Sequence, residues 1–109
     1  MPLTFNPLPK KMKTQILVIC RHEAILQTIV RLINNNPDWN GTGAVTDGEA
    51  ITAFETQHFK LVLLGSGISP ESDEKLRGYF TTKIPEILIV QHYGGGSGLL
   101  SAEIYGALG

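Results

Sequence analysis

Three short runs of apolar residues constrain this chain more than anything else in it: Ile16-Leu17-Val18-Ile19, Leu61-Val62-Leu63-Leu64 and Ile87-Leu88-Ile89-Val90. Each is shorter than an ordinary helix, and the first and third are rich in β-branched residues, so the runs read as strands. None alternates apolar with polar residues, as a strand with one wet face would. All three are therefore expected to be buried on both faces, in a parallel sheet.

Parallel neighbours need crossover connections, and the segments between the runs carry helical signals. From His22 to Asn34, Ile25, Ile29, Leu32 and Ile33 recur at i, i+4, i+7 and i+8, one apolar stripe. Asn34-Asn35-Asn36-Pro37 ends that helix, because proline disfavours helical geometry in the residue before it. A second strand is expected around Gly43 to Val45, where nearby glycines weaken the signal. Thr46-Asp47-Gly48-Glu49 has capping-box spacing ahead of Ala50, Ile51 and Phe54, which predicts a helix to about Gln57. Ser69-Pro70-Glu71 joins a serine cap, proline at the first helical position and an acidic residue in the first turn. That helix should reach about Phe80 and bury Leu76, Tyr79 and Phe80. A last helix, after Gly94-Gly95-Gly96-Ser97-Gly98, carries Leu99, Leu100, Ala102, Ile104, Ala107 and Leu108. Strands alternating with helices predict an α/β fold with right-handed crossovers.

With 109 residues there is length for one domain, expected over residues 14–109. Residues 1–13, with Pro2, Pro7, Pro9, Lys10, Lys11 and Lys13, read as a solvated arm. A net charge of −1 exerts no general pull on nucleic acid. The single cysteine, Cys20, excludes an internal disulfide and suits a reducing cytoplasm. No apolar run approaches the ~18 residues of a membrane span, and the N-terminus lacks the apolar core of a secretory leader. The expectation is a cytoplasmic protein with neither a membrane nor a nucleic-acid partner.

Ile16-Leu17-Val18-Ile19-Cys20-Arg21-His22-Glu23, Thr46-Asp47-Gly48-Glu49-Ala50 and Phe59-Lys60-Leu61-Val62-Leu63-Leu64 resemble three segments of the receiver domains of two-component response regulators. The corresponding family patterns look like ILIVDDE, ADGEEAL and PDLVLLD, and the resemblance covers about residues 14–108. It implies a flavodoxin-like (receiver-like) open parallel sheet in the order 2-1-3-4, with helices on both faces and the fifth strand missing. It also implies the places of a phosphorylation site. In the family an aspartate after the third strand accepts a phosphoryl group and an acidic pair after the first holds Mg²⁺. A Ser/Thr after the fourth strand and a lysine after the fifth complete the site.

In this chain the acceptor position falls on Gly65, the acidic pair on Cys20 and Arg21, and the Ser/Thr position on Gln91, while the lysine's strand is absent. Glycine offers no nucleophile, and a guanidinium stands where a hard cation needs oxygen ligands. The resemblance therefore implies a degenerate receiver: a non-enzymatic signalling or protein-interaction module, not phosphorylated on aspartate, with an unidentified signalling partner and no cofactor. Ser66 has no evident general base, so a turn role is the better reading.

Ligands of open α/β sheets bind at the carboxyl ends of the strands. That rim is expected to gather Cys20, Arg21, His22, Gly65, Ser66, Gln91 and His92, with Gly95 and Gly96 from the last loop. Without a side chain at Gly65 the floor should be open to something small. The second reading is accordingly an anion or small-ligand sensor using Arg21 and backbone N–H groups of the glycine run. Cys20, His22 and His92 are residue types that suit zinc, but their spacing is not that of a usual ligand pair and no fourth ligand is evident, so no metal site is expected.

If the fifth unit is missing, the first helix covers its sheet face alone and strand four is an apolar edge without charges. The expected remedy is a homodimer, by pairing of strand four or by packing of the half-covered faces. The rival is a lid formed by Leu3, Thr4, Phe5 and Leu8.

Overall fold

The computed structural model describes residues 13–92 and 97–108. Its elements are β1 (Thr14–Ile19), α1 (Glu23–Asn34), β2 (Trp39–Ala44), α2 (Asp47–Thr56), β3 (Leu61–Leu64), α3 (Pro70–Lys83), β4 (Leu88–Gln91) and α4 (Ser97–Leu108). All described strand pairs are parallel, and the sheet order is β2-β1-β3-β4. The arm over residues 1–12, with the lid residues Leu3 to Leu8, lies outside the described residues, as do Gly95 and Gly96.

The helix-start signals act as physical chemistry predicts, whereas the stripe of α1 is rotated from expectation: Leu26, Ile29 and Ile33 are buried and Ile25 is exposed. Thr46 Oγ1 accepts from the Glu49 amide at 3.1 Å, and Ser69 Oγ accepts from the Ser72 amide at 3.2 Å. The Glu49 carboxylate returns to the amide of Val45, at 2.8 Å, one residue before the cap. The ends of α2 and α3 differ from expectation by a few residues, α3 running on to Lys83. Tyr79 is half-buried rather than buried; its ring lies 5.8 Å from that of Phe80, and its hydroxyl donates to Glu55 on α2.

β2 is longer than its sequence suggests and begins at Trp39. Its glycines serve packing. A β-carbon at Gly41 would meet Ile33 at 3.1 Å, and one at Gly43 would meet Leu26 at 3.1 Å, so α1 lies directly on strand backbone.

The two sheet faces build two cores. Leu17, Ile19, Val62 and Leu64 pack with Ala50 and Phe54 of α2 and Leu76 and Phe80 of α3. On the opposite face Ile16, Val18, Leu61 and Leu63 pack with Leu26, Ile29 and Ile33 of α1 and with Leu100 and Ile104 of α4. This corrects the expectation that the first helix covers its face alone. Leu100 and Ile104 are one turn apart, present one apolar edge, and bury it where only α1 would otherwise stand. Two helices thus cover each face. Tyr105, on the far end of α4, brings its ring within 4.8 Å of Trp39 and accepts a hydrogen bond from Asn36 at 2.8 Å.

Candidate functional site at the strand tips

β1 and β3 run side by side, Ile19 level with Leu64, so the residues that follow them meet at one end of the sheet. The Gly65 amide donates to the Ile19 carbonyl at 2.7 Å, and the Arg21 amide donates to the Ser66 carbonyl at 3.1 Å, which continues the ladder past the formal strand ends. Cys20 is fully buried there. Its thiol donates to the His22 carbonyl at 3.6 Å and stands 3.7 Å from Ser66 Oγ.

Gly65 is buried against this cysteine. A β-carbon at position 65 would lie 3.0 Å from Cys20 Cβ, 3.2 Å from the Ile19 carbonyl oxygen and 3.3 Å from Cys20 Sγ. The floor between the strands is therefore closed, not open: the Cys20 side chain fills the room that the missing side chain leaves. Gly67 closes the same turn from above. Its φ is +84°, a conformation that favours glycine, and a β-carbon there would lie 2.8 Å from Arg21 Cβ.

Arg21 turns away from the strand tips. Its guanidinium donates to the Val45 carbonyl at 2.7 Å and forms an ion pair with Asp47 at the start of α2. The Arg21 hydrogen bond holds the Asp47 carboxyl below its ordinary range, against the opposing effect of burial, with a further hydrogen bond from Ser72 acting in the same direction. A single cation thus ties the tip of β1 to the loop after β2 and, through Asp47, to the first turn of α3. The anion-holding role expected of Arg21 is not what its side chain does here.

On the other side of the rim, the Gln91 side chain donates to the Leu64 carbonyl at 3.1 Å and the His92 amide donates to the same carbonyl at 2.8 Å. His92 Nδ1 pairs with Glu103 of α4 at 2.6 Å. His92 is thereby directed to α4 rather than toward Cys20. His22 and Ser66 are the exposed polar side chains of the rim. Among the described residues no group of three or more His, Cys, Asp or Glu side chains is placed to hold a metal ion. A groove of about 620 Å³ between α1 and β2, bordered by Leu26, Val30, Gly43, Val45 and Glu49, has no counterpart in the sequence reading.

No protein-family model matches the sequence, and no curated protein sequence matches it. Solved structures do match the fold. The signal receiver domain of an HD domain-containing protein from Pseudomonas fluorescens Pf-5 aligns with a TM-score of 0.65 at 17% identity, over 87% of this chain and 75% of the other. A response regulator receiver protein from Pseudomonas putida aligns with a TM-score of 0.65 at 14% identity, over 89% and 81%. The non-phosphorylated HemR receiver domain from Leptospira biflexa aligns with a TM-score of 0.62 at 21% identity, over 87% and 77%.

The fold is that of a receiver domain. It has four strands in the 2-1-3-4 order and no fifth strand among the described residues. α4 shares the α1 face of this receiver fold. Among the described residues no helix is long and apolar enough to cross a membrane.

Proposed function

We propose that this chain is a pseudo-receiver: a cytoplasmic, non-enzymatic signalling or protein-interaction module that is not phosphorylated on aspartate and works through a protein partner and as a homodimer. The observation that carries this reading is the packing of Cys20 against Gly65. A carboxylate at position 65 would need space that the Cys20 side chain occupies, and phosphoryl transfer depends on a positioned acceptor with cations around it. The only cation contributed by the β1 tip is Arg21, which is engaged by Asp47 and Val45. The same engagement weighs against an anion sensor, which would rely on Arg21.

Incubation with acetyl phosphate and Mg²⁺ tests the reading directly. Intact-mass measurement should show an unchanged chain; an added phosphoryl group on any aspartate would overturn it.

A further inference from the structure

The two edges of the sheet are finished differently. In β2 the carbonyls of Asp38 and Ala44 accept from β1, so the alternate residues, Trp39, Gly41, Gly43 and Val45, direct their backbone groups outward. Nearly every outward N–H is taken: Trp39 donates to the Asn36 carbonyl at 3.1 Å, Gly41 to Asn34 Oδ1 at 2.8 Å, and Val45 to Glu49 Oε1 at 2.8 Å. An incoming strand would have to displace all three caps.

Among the described residues β4 has no such cover. The amides of Leu88 and His92 donate to β3, at 3.2 and 2.8 Å, so Ile89 and Gln91 direct theirs outward. The Ile87 amide is held by the Ile84 carbonyl at 3.0 Å, but its carbonyl, like those of Ile89 and Gln91, faces the open side. The side chains along this edge, Leu88, Ile89 and Val90, are only partly buried.

We infer that this edge pairs with β4 of a second copy, antiparallel, about a two-fold axis at Ile89. The inference rests on the homodimer reading above and assigns its seam. A two-fold axis perpendicular to the sheet keeps each face on its own side, so a residue can stand opposite only one of its own parity. With the axis at Ile89, both outward amides, of Ile89 and Gln91, fall in register with outward carbonyls. Ile89 exchanges both backbone bonds with Ile89 of the second copy, and the Gln91 amide meets the Ile87 carbonyl. Leu88 and Val90 stand opposite each other on the α1/α4 face, as a close, non-hydrogen-bonded pair. Glu86 stands opposite His92 of the second copy, whose Nδ1 is paired with Glu103, and no like charges stand directly opposite. Moving the axis by one residue to Val90 uses the same outward amides but sets Leu88 opposite His92 of the second copy and takes Glu86 away from it. The seam over residues 86–92 is about 23 Å long at ~3.3 Å per residue. That is short for a standard interface, so a micromolar equilibrium is expected.

Sedimentation equilibrium over a micromolar series, on the wild type and on Ile89→Pro, tests the seam. Proline at an outward-facing edge position removes a donor that the fold itself does not use, so the variant should keep its far-UV spectrum and be monomeric where the wild type dimerises. Amide exchange of the wild type supplies an independent readout: Ile89 and Gln91 should gain protection with concentration, while Val90, bonded to β3, stays protected throughout. A folded Ile89→Pro that still dimerises, or concentration-independent exchange at Ile89 and Gln91 in a dimeric wild type, overturns the seam while leaving dimerisation standing. A wild type that is monomeric over the series overturns both.

Discussion

Cys20 and Gly65 form a complementary pair: the buried thiol side chain of one lies against the bare α-carbon of the other, with 3.0 Å between Cys20 Cβ and the place of any β-carbon at 65. Gly65→Ala should therefore destabilise the fold by about 1–3 kcal/mol, the range for overpacking a filled core. Cys20→Ala should give little relief, because the β-carbon that makes the closest approach remains. Cys20→Gly should relieve it, and a double-mutant cycle in urea should show favourable coupling between Cys20→Gly and Gly65→Ala. Additive effects would mean that the two positions do not share this space.

The turn above them depends on backbone conformation. Gly67 combines a φ of +84° with an approach of 2.8 Å to Arg21 Cβ, so Gly67→Ala should lose roughly 2 kcal/mol or more. Gly78 provides the contrast: it lies within α3, and a β-carbon there meets nothing within 4 Å. Gly78→Ala should gain about 0.5–1 kcal/mol through helix propensity. Thermal unfolding of the two variants should move in opposite directions.

Asp47 makes stability depend on acid. Its folded carboxyl titrates below the ordinary aspartate range because Arg21 donates to it. The contribution is therefore complete above the unfolded value of about 4 and is lost as the pH falls through the folded one. The two side chains are 25% and 21% exposed, so Arg21→Met should cost about 1–2 kcal/mol near neutrality. Urea midpoints of the variant and the wild type should converge as the pH is lowered below the ordinary carboxylate range, through the folded value of Asp47. A gap that persists unchanged into acid would show that lost packing, not the ion pair, causes the effect.

The parts of this structure that sequence foretold are those in which one residue type does one local job. Uninterrupted apolar runs mark the buried strands β1 and β3, while the third run, β4, is only partly buried at the sheet edge; Thr46 and Ser69 mark helix starts. β2 was only partly legible, because Gly41 and Gly43 lower strand propensity while serving a tertiary purpose, the close seating of Ile33 and Leu26. The strand tips show the same limit. The family resemblance sets the acceptor position on Gly65, but that Cys20 packs against it depends on the alignment of β1 with β3. The partner of Arg21 was equally hidden, since Asp47 is distant in sequence and reaches it through the β2–α2 connection. The face chosen by α4 could not be read either, for its apolar residues fit a helix on either side of the sheet.

That choice of face has a measurable consequence. Ile104 is fully buried between α4 and the sheet, whereas Ile25 on α1 is 47% exposed. Ile104→Ala should cost about 2–4 kcal/mol by leaving a cavity, and Ile25→Ala should stay within about 0.5 kcal/mol. Trp39 is the only tryptophan in the chain, and it is buried with the Tyr105 ring 4.8 Å away. Its emission should therefore report directly on α4, and Tyr105→Ala should alter the near-UV signal of Trp39 in the native state without abolishing the urea transition. Were α4 detached, Ile104→Ala and Ile25→Ala would be indistinguishable; were it packed on the α2/α3 face, the Trp39 signal would ignore Tyr105.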